Sequence, residues 1–198
     1  MPITYFIIGV TVLVSWYAFN NESVRHRLLL YPAVMRHPRE GYRLITSGFV
    51  HVDTMHLIFN MISLYFFGPL LERVIGPEHF IMLYVSGIIV ANLPSFYRHM
   101  HNPSFASLGA SGGVAAVIFA VIYFFPWEKI CLFYAVCIPS VLFPAGYLIY
   151  SAVMSRRANQ AVNHTAHFWG SVYGFLYMII LDPSHGIRFI ERIMDINI

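Results

Sequence analysis

Hydrophobic positions in this chain fall in long continuous runs rather than in alternating or one-sided stripes. Marking every Asp, Glu, Lys and Arg leaves six long stretches that contain none of them: 1–21, 54–71, 79–97, 99–127, 130–155 and 158–181. A helix crosses the hydrocarbon of a bilayer with about 20 apolar residues, in a range of roughly 17–25. A charge at its centre costs ~2.5–3.5 kcal/mol, which explains why charges collect between the runs. The pattern predicts six transmembrane helices, near Ile3–Phe19, Met55–Leu71, Phe80–Leu93, Ala110–Phe125, Ile130–Val153 and Thr165–Leu181. A lipid-exposed barrel would alternate, and these runs do not. The expected fold class is an all-α membrane protein, a single domain over residues 1–198.

The first run is read as a span and not as a signal peptide, because no basic residue precedes it (the first is Arg25) and no small-x-small cleavage site follows. One long connection, residues 22–53, holds five Arg and the apolar stretch Leu28-Leu29-Leu30-Tyr31-Pro32, which is too short to cross and suited to the interface. Residues Gly186–Ile198 form a short amphipathic tail with Arg188 and Arg192. Cys131 and Cys137 fall within one expected helix and read as buried thiols rather than a bridge. Composition agrees with the runs: 58% of residues are hydrophobic and 11% charged, against about a quarter charged in soluble domains. A net charge of +3 spread over scattered Arg leaves no footprint for nucleic acid.

In a six-span chain the second, fourth and sixth spans run in one direction, so residues near their starts share a depth. Those starts carry His56 and Asn60, then Ser111, then His167. Polar side chains within spans are costly and face the interior, which makes them functional candidates. Ser111 lies in Gly109-Ala110-Ser111-Gly112-Gly113, at a helix start whose free N–H groups and partial positive charge suit a developing oxyanion. His167 precedes Gly170 and Gly174. Gly109 with Gly113 and Gly170 with Gly174 read as two close-packing faces, one carrying a hydroxyl and the other an imidazole. A base beside a serine is the minimum activated nucleophile. The plainer alternative is that both side chains make ordinary interhelical hydrogen bonds.

His56 and Asn60 are four apart and share a helix face, where each offers a donor to an oxyanion. A metal pair is the weaker reading. Zinc wants three convergent ligands, and a metalloprotease helix His-Glu-x-x-His; no His-Glu dipeptide occurs. No cofactor is expected. No Asp lies inside a span, so a Ser-His dyad is the consistent form, and an aspartyl intramembrane protease is excluded. A transporter would call for inverted repeats, which are not visible. His51 and His164 lie just outside the spans and read as structural or interfacial.

These residues resemble the motifs of the rhomboid intramembrane serine proteases: Gly109-Ala110-Ser111-Gly112, His167 with Gly170 and Gly174, and His56 with Asn60. Gly68-x3-Glu72-x3-Gly76 resembles that family's motif after the second helix, and Tyr42-Arg43 its aromatic-Arg pair in the first loop. The resemblance runs from about Tyr42 to Gly174, in order. It implies the six-helix rhomboid bundle of the bacterial type, with Ser111 as nucleophile and His167 as base. It implies an oxyanion held by His56, Asn60 and the Ser111 N–H, in a hydrated cavity below the membrane surface. Gly109, Gly112, Gly113, Gly170, Gly174, Arg43 and Glu72 would be structural. Implied partners are the lipid bilayer and single-span membrane proteins cut in or beside their helix; the oligomeric state is not specified by the sequence.

The resemblance also implies cytoplasmic termini in a bacterial cell membrane, although the arginines flanking loop 22–53 would favour the opposite orientation by charge alone. Ala115 stands where the family commonly has a Tyr stacked on the catalytic histidine, which leaves Phe168 and Tyr173 as ring-orienting aromatics. Pro139 and Pro144 would bend the fifth span, as a moving element at the substrate entrance or as a static kink. The competing function is a rhomboid-like protein that binds membrane helices without cutting them.

Overall fold

The computed structural model describes residues 2–132, 136–139 and 163–194. Helix α1 covers Ile3–Phe19, the bounds expected from its run. Its buried positions are Thr4, Ile7, Thr11, Ser15 and Ala18, at helical spacing, while Phe6, Leu13 and Trp16 are exposed. A helix that turns small hydroxyl residues inward and large apolar ones outward is built for lipid and not for water.

Helix α2, Glu22–Leu28, and the short α3, Arg43–Thr46, belong to loop 22–53, with 3-10 turns at 32–34, 38–42 and 47–49. Arg43 organises this loop. Its Nη1 donates to the carbonyls of His26 (2.8 Å) and Leu29 (3.1 Å), and its Nε to Glu40 (2.6 Å). Leu30 is fully buried and pairs by two backbone hydrogen bonds with Ser107. That pairing ties loop 22–53 to the segment entering the fourth apolar run.

Helix α4 covers Thr54–His99, where two helices were expected at Met55–Leu71 and Phe80–Leu93. The only non-helical residue inside it is Gly76, at φ 80° and ψ 160°. That backbone region is open to Gly, and Pro77 is preset to start the next helix. The chain reverses there. His56 near the beginning and Asn92 near the end both approach the 44–51 segment or its hydrogen-bonded neighbour Gly109. Without a reversal they would stand ~54 Å apart at 1.5 Å per residue. The Gly68-Glu72-Gly76 motif is explained residue by residue. Gly68 leaves room for Thr4, Glu72 accepts from Ile3 N (2.7 Å), Thr4 N (3.0 Å) and Thr4 Oγ1 (2.7 Å), and Gly76 makes the reversal. Glu72 thus caps α1 and fastens it to α4.

Helix α5, Ser111–Phe124, is the axis of the bundle: every residue from Gly112 to Phe124 is buried. A helix apolar on all sides is one surrounded on all sides. Helices α6, His164–Leu181, and α7, Pro183–Met194, complete the described part. Among the described residues, Thr54–His99 is the one helix both long and apolar enough to cross a membrane; Ile3–Phe19 and Ser111–Phe124 are shorter apolar helices.

The expected fifth span, Ile130–Val153, does not begin as a helix. Strands β1, Lys129–Leu132, and β2, Val136–Pro139, form an antiparallel hairpin with Cys131 opposite Cys137. The two cysteines therefore do not share a helix. A short apolar run rich in Ile and Val suits a strand as well as a helix, and periodicity does not separate the two. Residues 140–153, including Pro144 and the gating reading built on it, lie outside the described residues.

Candidate active site

The site is assembled where α5 and α6 begin. Gly109 has φ 126°, a region that favours glycine, and its N–H donates to the Ser47 carbonyl at 2.9 Å. A Cβ there would come within 2.6 Å of the His56 ring, so the His56 imidazole lies directly on the chain two residues before Ser111. Ser111 is the first residue of α5 and half-buried. The first intrahelical bond runs from Val114 N to Ala110 O (3.0 Å), so the N–H groups of Ser111, Gly112 and Gly113 form the positive end of the helix.

Helices α5 and α6 meet backbone to backbone. A Cβ on Gly170 would overlap the Gly112 carbonyl and stand 3.0 Å from the Gly112 Cα; one on Gly174 would stand 2.5 Å from the Ala116 Cα. Residue numbers rise together along both helices, so they run parallel. The contact differs from the two matched faces expected. The backbones of Gly112 and Ala116 face α6, while the Cβ direction of Gly112 meets Ala91 of α4 at 2.5 Å; Gly113 faces Ile88 and Tyr84 of α4, and Gly109 faces His56. A Cβ on Gly112 would lie 3.7 Å from the Ala166 carbonyl. Ser111 and His167 are each the chain neighbour of a residue at this contact.

His167 is half-buried, and its ring meets that of His164 edge-on, with centroids 5.5 Å apart. The aromatics expected to orient it are engaged elsewhere. Tyr173 donates to Ser86 Oγ at 2.7 Å, and Phe168 packs against Trp169. Ala115 is buried. Asn163 caps α6 through Oδ1 to Ala166 N (3.1 Å), and its Nδ2 reaches both Ser95 Oγ and Ser107 Oγ at 3.0 Å. One side chain thereby fixes the start of α6 to the end of α4 and to the approach to Ser111.

Asn60 is buried and donates to the His56 carbonyl at 2.8 Å, so one of its two N–H bonds is used on its own helix. Both His56 ring nitrogens are buried and make no hydrogen bond to any described residue. Buried polar atoms are rarely left so, and here they face the helix start where an oxyanion would be held.

His51, read from the sequence as structural or interfacial, is fully buried at the centre of this arrangement. Ala110 N–H donates to its Nε2 (3.2 Å), so that nitrogen is unprotonated. Its Nδ1–H then donates to Ser15 Oγ (2.9 Å), and the Ser15 hydroxyl donates to the Phe49 carbonyl (2.9 Å). Burial, with His56 alongside, holds its pKa at about 3. His51 joins α1 to the residue preceding Ser111. The sequence offered a signal for it only in the two histidines, His51 and His56, on either side of the expected span boundary. Among the described residues no group of His, Cys, Asp or Glu could hold a metal ion.

The sequence profile of the Rhomboid domain matches residues 38–184. The chain belongs to the rhomboid family. Rhomboid proteins are integral membrane proteins, in keeping with the outward apolar face of α1. The chain is 27% identical to RHOMBOID-like protein 12, mitochondrial, of Arabidopsis thaliana over 81% of its own length and 52% of the relative's. It is 34% identical to Rhomboid protein 1, mitochondrial, of Saccharomyces cerevisiae over 68% of its length and 40% of the relative's. YdcA of Bacillus subtilis, named as a candidate rhomboid protease, is 29% identical over 69% of this chain and 65% of its own. This rhomboid chain thus spans about half or less of the two mitochondrial relatives. Their names fit the expected bacterial cell membrane poorly; what all three share is the rhomboid domain.

Proposed function

We propose that this rhomboid protein is an intramembrane serine endopeptidase that cuts transmembrane segments with a Ser111–His167 dyad. The observation that supports the reading is the bare backbone contact at Gly112 and Gly170 on parallel helices, with Ser111 adjoining Gly112 and His167 one turn before Gly170. In this reading His167 takes the Ser111 proton as the hydroxyl oxygen attacks the scissile carbonyl. The resulting oxyanion is met by the Ser111 N–H, the free His56 ring and the remaining Asn60 donor. His167 then passes the proton to the leaving amine, and water releases the acyl group by the same steps in reverse. The substrate helix must unwind to offer a peptide bond, so small, poorly helix-forming residues such as Gly at the cut are favoured.

The same proposal covers the six spans, the whole of 1–198 acting as one rhomboid domain, and both termini on the cytoplasmic or equivalent side. A second reading, capture of membrane helices without cleavage, is favoured by Ala115 in place of the family's Tyr. The test is cleavage of a single-span reporter with a Gly-containing helix, co-reconstituted in vesicles with the wild type, Ser111→Ala or His167→Ala. Wild-type cleavage lost in both variants is expected. Cleavage by Ser111→Ala at the wild-type rate overturns the dyad, and reporter binding with no cleavage by any of the three selects the second reading.

A further inference from the structure

Helix α7 begins two residues after the end of α6, an eighteen-residue helix ~27 Å long. At 100° per residue its side chains divide among three directions. One is turned to the protein. Phe189 stacks on Tyr123 with centroids 5.8 Å apart and meets Phe175 at 5.2 Å, and Arg192 Nη1 donates to the Phe124 carbonyl at 3.0 Å. These contacts, with Trp127 Nε1 donating to the Arg192 carbonyl, set the roll of the helix about its axis.

With that roll fixed, Ile187, Ile190 and Met194 form a stripe left 65%, 57% and 70% exposed. The third direction is polar, with Ser184, Arg188 and Glu191, and Arg192 stands between it and the protein-facing side. A short helix that is apolar on one flank and cationic on the next lies in a membrane interface rather than across it. Two independent features set the level. Trp127, at the exit of α5, is an amphipathic ring of the kind that gathers at the headgroups, and α7 follows directly on α6, the last of the proposed spans.

We propose that α7 lies flat in the bilayer interface, with Ile187, Ile190 and Met194 in the acyl boundary and Arg188, with the N–H groups of Arg192 not given to Phe124, on the phosphates of anionic phospholipids. The stripe rests on lipid, and the long arginine side chains reach from the opposite flank to the headgroups. This inference is independent of any peptidase chemistry; it rests on the six-span reading proposed above, with α6 as the last span.

The test uses the full chain with Cys131→Ser and Cys137→Ser, and one reporter cysteine at a time: Ile190→Cys, Met194→Cys or Arg188→Cys. Each carries an environment-sensitive fluorophore, in vesicles of phosphatidylcholine with or without phosphatidylglycerol. Labels at 190 and 194 are expected to be quenched by lipids spin-labelled high on the acyl chain, and at least threefold less by aqueous iodide than the label at 188. Leaving out phosphatidylglycerol, or adding Arg188→Gln to the Ile190→Cys protein, should at least double iodide quenching at 190. Iodide quenching at 190 and 194 equal to that at 188 overturns the proposal in favour of a water-facing helix. Shielding of both from iodide and from lipid quencher alike overturns it in favour of a protein cover, such as a second copy. Lipid contact that ignores lipid charge overturns the anionic part.

Discussion

At the α5–α6 crossing two backbones touch with no side chain between them, whereas α1 is held on α4 by a carboxylate that accepts three hydrogen bonds. Both contacts join helices where lipid provides no hydrophobic drive, since its tails are as apolar as the side chains. The first relies on the absence of atoms and tolerates none added. The second relies on one group and tolerates none removed. The catalytic candidates sit on the first, where parallel helices held by shape keep two side chains at one depth. Elsewhere single polar side chains are the anchors: Glu72 for α1, Arg43 for loop 22–53, Asn163 for the start of α6 and His51 for the residue before Ser111.

The largest effect is expected from filling the empty contact. Gly170→Ala places a methyl into the Gly112 backbone, so α6 must move away, at a cost of about 3 kcal/mol. Reporter cleavage should fall at least ~100-fold, since misplacing catalytic groups by about 1 Å costs that much. Gly9→Ala is the control, with nothing within 4 Å of its added Cβ and no expected change. Equal tolerance of the two substitutions would mean the crossing is not rigid.

Removing the carboxylate tests the other side. Glu72→Ala leaves the start of α1 uncapped and should lower the unfolding free energy in mixed micelles by about 2–3 kcal/mol. Glu72→Gln keeps its acceptor oxygen and should recover part of the loss. A loss as large in activity as that of Gly170→Ala, with no change in stability, would erase the distinction between the two regions.

The two regions also differ in how legible they were. The helices at Ile3–Phe19 and those beginning at Ser111 and His164 follow from charge-free runs, because a charge is costly to desolvate. The common depth proposed for His56, Ser111 and His167 rests on counting passes. What the runs did not reveal is where apolarity is ambiguous. Lys129–Leu132 is a strand, and Leu30 is buried against Ser107. His51 and His164 were read as structural or interfacial, but how deeply they are buried was not legible, because sequence position measures distance along the chain and not depth in the fold. Which glycine of Gly109, Gly112 and Gly113 meets α6 depends on the roll of α5, which an all-apolar helix does not encode.

Smaller effects are expected at the two overlooked histidines. His51→Ala removes the acceptor for Ala110 N and the donor to Ser15, and should reduce cleavage about tenfold. His51→Gln can supply both groups and should restore most of it. The folded His51 stays neutral down to about 3, whereas the unfolded chain takes up a proton near 6.5. Between those values the unfolded state binds more protons, so stability falls as pH drops from 6.5 toward 3. Melting curves at pH 7 and pH 5 should therefore separate more for the wild type than for His51→Gln; equal separation would deny His51 this role. The smallest effect is at His164. His164→Phe preserves the ring against His167 and should change cleavage less than threefold, whereas His164→Ala should cost several-fold with unfolding unchanged.

The most direct measurement is labelling by a serine-directed fluorophosphonate in reconstituted membranes, read by mass spectrometry of the modified peptide. The account predicts one adduct on Ser111 in the wild type, lost in Ser111→Ala and in His167→Ala, with both variants melting like the wild type. Equal labelling of all three proteins, or an adduct on any other serine, would contradict it.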